Sequence, residues 1–459
     1  MSFVWTRRPP GYIIKTGAVA ARFRINFLYP TFELVETFEI DNLHITLDKL
    51  GASGYSKVSY PLRYGRYAEI KTPGHLFHFN LNGEVKFITG RGKDWPNPSE
   101  WLKSTVSGDW VYYSTGGYDG PYDCFGEYYL PCLHYASNGI NSCDPFEDHA
   151  VESAIEALGP LHRKLTELSS GVLPASLGKF LDLVKSKPPA ELSKKARRLS
   201  DIVGDSITVL PPDSRHVDYD LVPLIIADGC LYKCGFCRVK SRLGFRNRSR
   251  QNIDAQIAAL RNFFANDLPN YNSLFLGQHD ALNSDPGLLE FAAKRAFEAF
   301  DLKNSNLQDP CLFLFGSVDS IIGASFETFE RIDRLSFKTY INVGLESADP
   351  QTLSGLRKGI TAEGVRTAFA KIVEINRRYE RIEVTSNFVF GPNLPDGHIE
   401  SVLGLLGKHF DHHCPKGTVY FSPLLDADIS GWKKNIKREF YKLKMKIPVP
   451  TFLYLIQRL

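Results

Sequence analysis

Several features are scarce or missing in this chain of 459 residues. No apolar run reaches the ~18 residues that a membrane-spanning helix needs, so no transmembrane segment is expected. Basic residues outnumber acidic ones by only 55 to 51, so a nucleic-acid partner is not expected from charge alone. Hydrophobic residues make up 43% and charged residues 23% of the chain, which excludes collagen-like and disordered classes. The sequence also has no low-complexity tract and no internal repeat. A length of 459 residues favours a folded protein of two or three domains.

The N-terminal segment lacks the features of a secretory signal. The sequence MSFVWTRRPPGYIIKTG places two arginines and two prolines where a signal peptide has an uninterrupted apolar stretch. We therefore expect a cytoplasmic protein. In that reducing compartment the eight cysteines are expected to bind metal, to act in catalysis or to be buried, rather than to form disulfides.

Residues 1–145 are predicted to form a β-rich N-terminal domain. HLFHFNL and EVKFITG alternate apolar and polar residues on either side of Asn82 and Gly83, which predicts a hairpin from His75 to Thr89 with a positive φ at both turn residues. A later stretch, WVYYSTGGYDGPYDCFGEYYLPC, is rich in tyrosine and indicates either the core of a small β-domain or a stacking surface for a ring-bearing substrate. This domain is the expected source of substrate recognition.

The next segments differ in their periodicity. Residues 146–214 carry apolar residues three and four apart, which predicts a helical connector, and prolines and charges near Arg215 mark a domain boundary. The C-terminal element, residues 426–459, is basic and then apolar. It is typical of a terminal element that packs across an open barrel, with an interfacial membrane contact as the alternative.

Residues 215–425 form a repeating series of short apolar runs and helical stretches. The six runs are LVPLIIA, SLFLG, CLFLFG, TYINVG, IEVTSNFVFG and TVYFSPLL, each about the length of a buried parallel strand. The fold class is therefore α/β, a partial (β/α)6 TIM-like barrel with its catalytic groups on the loops that follow the strands. The apolar faces of three helices repeat at helical spacing, namely Ile253, Ile257, Leu260 and Phe264, then Phe326, Phe329, Ile332 and Leu335, then Val365, Phe369, Ile372 and Ile375. Asp285-Pro286 and Asp349-Pro350 are predicted helix starts.

Three cysteines follow the first of these strands. Cys230, Cys234 and Cys237 lie in a C-x-x-x-C-x-x-C spacing with no fourth cysteine nearby. Three thiolates can hold three corners of a 4Fe-4S cluster and leave one iron open for another ligand. The alternatives are three ligands of a zinc site or small buried side chains.

The sequence CLYKCGFC at this position resembles the radical S-adenosylmethionine (radical SAM) superfamily. The resemblance implies a 4Fe-4S cluster on Cys230, Cys234 and Cys237, with S-adenosyl-L-methionine (SAM) chelated at the open iron and cleaved to a 5'-deoxyadenosyl radical. It also places Phe236 near the adenine, while packing in the core is the alternative for this ring.

The resemblance assigns roles to the residues after the second strand. Gly277, Gln278 and Asp280 correspond to the family segment that binds the methionine amino group. Asp280 is the expected carboxylate, with the Gln278 side chain or backbone carbonyls as the alternative. His279 is a candidate catalytic acid or base beside Asp280, or else a hydrogen-bonded loop histidine.

Later strand ends extend the resemblance. The stretch GLESADPQTLSGLRKGIT is similar to the branch that contains oxygen-independent coproporphyrinogen oxidases, methylthiotransferases and the Elongator acetyltransferase subunit. It implies that Glu346 and Ser347 bind SAM, whereas a lone Glu-Ser pair would otherwise indicate a helix cap. Val389 to Gly391 are expected to face the adenine. Ser317, with Asp319 and Ser320, is expected to contact SAM or substrate.

The remaining cysteines and histidines have weaker patterns. Cys124, Cys132 and Cys143, with His134 near them, are either ligands of an auxiliary metal or buried and loop thiols. Cys311 and the segment 412–414 precede strands, at the end of the barrel away from catalysis, which favours a structural role.

Six basic residues without an acid follow the cysteines. They are Arg238, Lys240, Arg242, Arg246, Arg248 and Arg250. These residues could bind the SAM carboxylate, an acidic substrate or RNA phosphate. The alternatives are a solvated helix start or a docking face for an acidic electron donor.

The sequence as a whole predicts an oxygen-sensitive radical SAM enzyme that abstracts hydrogen from a small organic substrate. The expected electron donor is of the flavodoxin or ferredoxin type. One alternative is an RNA-modifying radical SAM enzyme, which the basic segment alone supports. The other is a non-catalytic, metal-stabilised binding protein.

Overall fold

The computed structural model describes residues 12–16, 19–26, 35–55, 63–114, 128–131, 144–169, 173–237, 244–277, 279–409, 416–424 and 435–459. Its N-terminal part is one antiparallel sheet of ten strands in sequential order. The strands are β1 Tyr12–Thr16, β2 Val19–Asn26, β3 Val35–Ile40, β4 Leu43–Leu50, β5 Arg66–Lys71, β6 His75–Phe79, β7 Val85–Gly90, β8 Trp101–Ser104, β9 Trp110–Ser114 and β10 Tyr128–Pro131. This sheet confirms that the N-terminal region is rich in β-structure.

The predicted hairpin is present as β6 and β7, but its turn differs from the prediction. Gly83 has a positive φ of 76° and Asn82 does not, so a two-residue turn with two positive φ values was wrong. The Asn80 side chain accepts hydrogen bonds from the backbone N–H groups of Asn82 and Glu84, both at 3.0 Å. This side chain supports a longer turn, because it satisfies two donors that the strand ladder leaves free.

The connector is helical, as predicted, and its helices pack on one face of the sheet. These helices are α1 His149–Glu156, α2 Leu158–Leu168, α3 Ala175–Lys185, α4 Pro189–Leu192 and α5 Lys195–Val203. The Phe79 and Phe180 rings meet edge to face with centroids 5.6 Å apart. In the tyrosine-rich stretch, the described residues Tyr112 and Tyr113 are buried, and Tyr113 stacks on Trp101 with centroids 4.0 Å apart. That part of the stretch therefore belongs to the interior of the sheet region.

The second sheet contains seven parallel strands, one more than the predicted six. The six predicted strands are β11 Val222–Pro223, β14 Ser273–Phe275, β15 Cys311–Gly316, β16 Lys338–Glu346, β17 Ile382–Phe390 and β18 Val419–Pro423. The seventh, β19 Thr451–Leu453, belongs to the C-terminal element and pairs in parallel with β18. The count of six was wrong because the apolar tail extends the sheet edge instead of only packing across it.

Helices connect these strands and cover the sheet. They are α6 Arg250–Phe264, α7 Pro286–Ala299, α8 Val318–Gly323, α9 Phe326–Asp333, α10 Pro350–Gly355, α11 Ala362–Arg378, α12 Gly397–His409 and α13 Ile436–Lys444. The periodic apolar residues predicted for α6, α9 and α11 are buried, apart from the half-buried Phe326. Asp285 and Asp349 accept hydrogen bonds from Leu288 N and Thr352 N, which confirms both predicted helix starts.

A buried carboxyl group lies among the strands of the parallel sheet. Asp213 accepts hydrogen bonds from Thr385 Oγ1 and Tyr420 Oη, both at 2.7 Å. Burial raises the pKa of Asp213 to about 6, although the two hydroxyl donors favour its ionised form. The group joins the end of the connector to β17 and β18.

Buried ion pairs join the N-terminal sheet to the parallel sheet. Lys103, whose side chain is 2% exposed, donates to Asp218 Oδ2 at 3.2 Å and to Asp220 Oδ2 at 2.8 Å. Lys86 donates to the other oxygen of Asp220 at 2.8 Å. One hydrophobic core runs through both sheets and the connector. No helix among the described residues is long and apolar enough to cross a membrane.

Candidate active site

The three predicted cluster cysteines lie on one loop beyond the end of β11. Two short strands, β12 Ala227–Asp228 and β13 Arg246–Asn247, pair antiparallel and close the base of this loop. We call residues 229–245 the cluster loop. Cys230, Cys234 and Cys237 are half-buried, and none of them forms a disulfide with a described residue. Gly235 N donates to Leu356 O at 2.8 Å, so the loop after β16 holds the middle of the cluster loop.

The donor set of this loop fits an iron–sulfur cluster. The pKa of Cys230 is raised to about 12, mainly by burial and then by the charges of Cys237, Asp280 and Cys234, so the three thiols are close enough to interact. A site rich in thiolate is what iron–sulfur clusters require, and a bound metal deprotonates its thiols. Among the described residues no three Cys, His, Asp or Glu side chains are already arranged to hold a metal ion. The fit therefore rests on the chemistry of the donors.

Asp280 carries a polar atom that has no hydrogen-bond partner among the residues that the structure describes. Its side chain is buried, and Oδ1 accepts a hydrogen bond from Ser317 N at 3.1 Å. Oδ2 is buried and accepts no hydrogen bond from any described residue. Burial raises the pKa of Asp280 above its ordinary value. A buried carboxylate oxygen without a donor is costly, so this atom is suited to a cationic ligand group.

The segment after β16 places a buried ion pair beside the cluster loop. Glu346 Oε1 accepts a hydrogen bond from Lys358 Nζ at 2.6 Å, and both side chains are 6% exposed. Lys358 also donates to Gly344 O at 2.6 Å. Sequence reasoning assigned no role to Lys358, although it lies in the RKGIT stretch that carried the family resemblance. A charged residue within a stretch that resembles a known family could have pointed to Lys358 as a site residue.

Ser347 is used inside the fold. Its hydroxyl lies 2.8 Å from His398 Nδ1 and accepts from Asp349 N at 3.0 Å. His398 Nε2 lies 2.9 Å from Val389 O, which can only accept, so Nε2 carries the hydrogen and Nδ1 accepts from Ser347. Both polar functions of the Ser347 hydroxyl are therefore occupied. These hydrogen bonds connect the end of β16 to the end of β17. Direct binding of SAM by Ser347 stays a prediction.

The ends of β14, β15 and β17 carry the other predicted cofactor residues. Gly277 has a φ of 109°, a conformation that favours glycine. Ser317 caps α8 through reciprocal hydrogen bonds with Ser320. A Cβ atom at Gly391 would lie 3.2 Å from Leu424 O, so only a small residue fits there. The half-buried Phe236 lies in the cluster loop beside Cys237. Contacts of these residues with SAM stay predictions, and Gln278 is outside the described residues.

His279 faces the connector. Its Nε2 lies 4.0 Å from Asp205 Oδ2, just beyond the end of α5, and its side chain is 9% exposed. Burial lowers the pKa of His279, while the charges of Asp205 and Asp228 oppose this effect. The imidazole is therefore neutral near neutral pH and can accept a proton. Its predicted catalytic role stays a prediction.

Arg248 has a structural role that the sequence did not reveal, where it was only one member of a basic run. It donates to Asp228 Oδ1 from Nε at 2.9 Å and from Nη2 at 2.6 Å, and to Val203 O from Nη1 at 2.6 Å. Arg246, by contrast, has a side chain that is 76% exposed. The basic segment therefore combines an internal structural arginine with a solvated one. Arg238, Lys240 and Arg242 are outside the described residues.

The other cysteine predictions fall mostly outside the structure. Cys124, Cys132 and Cys143, together with His134 and the segment 412–414, lie outside the described residues, so the auxiliary metal stays a prediction. Cys311 is buried at the start of β15, where its thiol donates to Asp309 O at 3.4 Å. This position agrees with the structural role that was expected for Cys311.

Comparison with known proteins finds a family-model match to part of the chain. A family model described as "Radical SAM superfamily" matches residues 224–406. No curated protein matches the chain. Among solved structures, the chain is similar to the radical SAM methyltransferase TsrM from Kitasatospora setae, at 16% identity and a TM-score of 0.31, over 44% of this chain and 35% of that one.

Two further solved structures are also similar. A radical SAM methyltransferase from Sphaerobacter thermophilus matches at 17% identity and a TM-score of 0.33, over 51% of this chain and 66% of that one. Methylornithine synthase matches at 12% identity and a TM-score of 0.30, over 64% of this chain and 81% of that one. The chain thus spans only about a third of the first of these proteins, 35% of its length. These likenesses are too distant to indicate a shared reaction. The match to the radical SAM family model covers residues 224–406, which is less than half of the chain, and indicates that this region is similar to radical SAM enzymes.

Proposed function

We propose that the chain is a radical SAM enzyme whose cluster is held by Cys230, Cys234 and Cys237. The observation that carries this proposal, beyond the family match, is the buried and unpartnered Oδ2 of Asp280 next to the cluster loop. When bound, a 4Fe-4S cluster and SAM together supply a one-electron cleavage of the sulfonium and a 5'-deoxyadenosyl radical that removes hydrogen from a substrate. The protein binds, orients and shields these groups.

Asp280 is the residue that we assign to the methionine ammonium group of SAM. Its Oδ2 can accept a charge-assisted hydrogen bond, while Ser317 N holds Oδ1 and fixes the carboxylate. Burial keeps competing water away from this oxygen. Glu346 remains a candidate for the ribose or amino-acid part, since Lys358 occupies only one of its oxygens in the described contacts. Val389 to Gly391 are assigned to the adenine side.

His279 is the residue that we assign to proton transfer. Its buried, neutral imidazole lies beside Asp280 in sequence, at the end of β14. A neutral imidazole is a suitable base near neutral pH. The substrate would be a small organic molecule, and the electron donor a flavodoxin or ferredoxin type protein in the cytoplasm.

The branch assignment is also a proposal. The stretch from Gly344 to Thr361 resembles the coproporphyrinogen oxidase, methylthiotransferase and Elongator branch in sequence. Its support here is that Glu346 and Lys358 from this stretch meet in one ion pair beside the cluster loop. Membership in the branch would leave the substrate open.

Anaerobic reconstitution with iron and sulfide tests the proposed function. We expect the reconstituted chain to absorb visible light as an iron–sulfur protein and to release 5'-deoxyadenosine from SAM after reduction. Cys234→Ala should abolish both signals, because it removes one of the three thiolates. Cys311→Ala is the matched control, since its thiol lies at the other end of β15, and it should retain both signals. Undiminished 5'-deoxyadenosine release by Cys234→Ala would contradict the proposal.

A further inference from the structure

Lys358 is a buried cation behind the cluster loop. Its side chain is 6% exposed. Two acceptors fix the ammonium group, Glu346 Oε1 and Gly344 O, each at 2.6 Å. An ammonium group held in this way cannot move away into water when the local charge changes. Its field therefore acts on whatever the cluster loop holds.

The backbone around this lysine is shaped to hold the pair. Glu346 has a φ of 63°, in the left-handed region that non-glycine residues seldom adopt. The pairing of β16 with β17 shifts register between Gly344 and Glu346. A Cβ atom at Gly344 would lie 2.6 Å from Glu346 Oε1 and 3.0 Å from Lys358 Nζ. The bulge, the left-handed residue and the glycine together bring the two charges to one point.

That point lies against the cluster loop. Lys358 Nζ is 5.8 Å from the ring centroid of Tyr232, which lies between Cys230 and Cys234. The backbone two residues before Lys358 accepts the hydrogen bond from Gly235 N at 2.8 Å. Two contacts, one on each side of Cys234, therefore place the ammonium group next to the thiols.

The two charges of the pair lie together at the cluster loop. The ammonium group of Lys358 lies over the ring of Tyr232, and the carboxylate of Glu346 lies 2.6 Å from that ammonium group. A positive and a negative charge of opposite effect are therefore present at the same loop, and each can be removed separately.

We propose that Lys358 sets the reduction potential of the iron–sulfur cluster held by the cluster loop, an inference that rests on the proposed function. Reduction transfers one electron from an external donor to the cluster, and the negative charge that it adds is stabilised by the ammonium group. Because the pair is buried, solvent and salt screen the interaction only weakly. Glu346 has the opposite effect on the same equilibrium.

The test is an anaerobic redox titration of the reconstituted full-length chain, followed by electron paramagnetic resonance of the reduced cluster. Lys358→Met should disfavour reduction about tenfold, which corresponds to a potential lower by about 59 mV for a one-electron couple. Glu346→Gln should shift the potential in the opposite direction. Lys358→Arg, which keeps the charge, should stay near the value of the unaltered chain. Lys233→Met removes an exposed lysine of the same loop and should shift the potential much less.

The outcomes separate this inference from the proposed function. Failure of the unaltered chain to assemble a cluster would refute the proposed function. A cluster that assembles in Lys358→Met with an unchanged potential would overturn the role of Lys358. If Lys358→Met does not assemble a cluster, Glu346→Gln decides, because an unchanged or lowered potential in that variant also overturns the inference. Opposite shifts in the two variants would support it, since a merely structural pair would not give shifts of opposite sign.

Discussion

Asp280→Asn tests the most informative atom of the candidate site. Asparagine keeps Oδ1 as the acceptor for Ser317 N, an interaction that measures 3.1 Å. It replaces the unpartnered Oδ2 with an NH2 group, which donates instead of accepting. The change is therefore nearly isosteric, and it removes one negative charge at the position that we assign to the SAM ammonium group.

The expected effect follows from the environment of that oxygen. A hydrogen bond to a charged group contributes about 1.5–3 kcal/mol, and each 1.4 kcal/mol is about tenfold in affinity. The affinity for SAM should therefore fall by about 10- to 150-fold. Without SAM, the same substitution removes a negative charge that burial disfavours, since burial raises the pKa of Asp280, and it should raise the free energy of unfolding by about 1 kcal/mol.

Two measurements on the same variant check this reasoning. Anaerobic equilibrium dialysis of the reconstituted protein measures SAM affinity, and urea denaturation of the protein without SAM measures stability. Asp285→Asn is the matched control, because it exchanges an exposed helix-capping aspartate for an equally good cap and should leave the affinity unchanged. SAM affinity within twofold of the unaltered chain in Asp280→Asn would refute the assignment of this oxygen.

Three further predictions concern stability. Lys103→Met should lower the free energy of unfolding by about 3–5 kcal/mol in urea denaturation, because it removes the buried cation that Asp218 and Asp220 share and leaves Lys86 as the remaining cation at Asp220. Lys338→Met, from an exposed ion pair, should change it by less than about 1 kcal/mol. Asp213 has a pKa raised to about 6, so its contribution to stability is fully present below pH ~4 and is lost as the pH rises through 6. Relative to Asp213→Asn, the chain should lose about 2 kcal/mol between pH 4 and pH 7, and a constant difference would contradict this. Gly204→Ala should lower the melting temperature, because residue 204 has a φ of 75° and a new Cβ atom would lie 3.3 Å from the Arg248 guanidinium. An unchanged melting temperature would show that this turn relaxes freely.

Periodicity predicted those parts of the fold that depend on one chain segment at a time. The apolar faces of α6, α9 and α11 and the two aspartate caps follow from residues three and four positions apart, and the structure confirms them. Strand β19 escaped prediction because only three residues of the apolar tail pair with β18, which is too short a run to stand out from the rest of the tail. The turn at Asn80 escaped because its geometry depends on a side chain that competes with the strand ladder.

In the candidate site, too, features that depend on one chain segment could be predicted, and features that depend on distant residues could not. The cysteine spacing and Asp280 could be found in the sequence, because each lies directly after a strand of the series. The ion pair of Glu346 and Lys358 could not, since a bulge and a left-handed residue bring together two positions that are 12 residues apart. The role of the Ser347 hydroxyl was equally hidden, because its partner His398 is 51 residues away in the chain.

The boundary predicted near Arg215 separates segments that the structure joins. At the N-terminal end of α5, Lys195 Nζ donates to Glu84 Oε2 of the N-terminal hairpin at 2.8 Å. At its C-terminal end, Val203 O accepts from Arg248, which also holds Asp228 at the base of the cluster loop. Cations favour the carbonyl end of a helix, and hydrogen bonds from charged donors are the stronger ones, so both ends of α5 are firmly held. The N-terminal sheet, the connector and the cluster loop are therefore linked through one helix, and the position of the cysteines depends on residues on both sides of the predicted boundary.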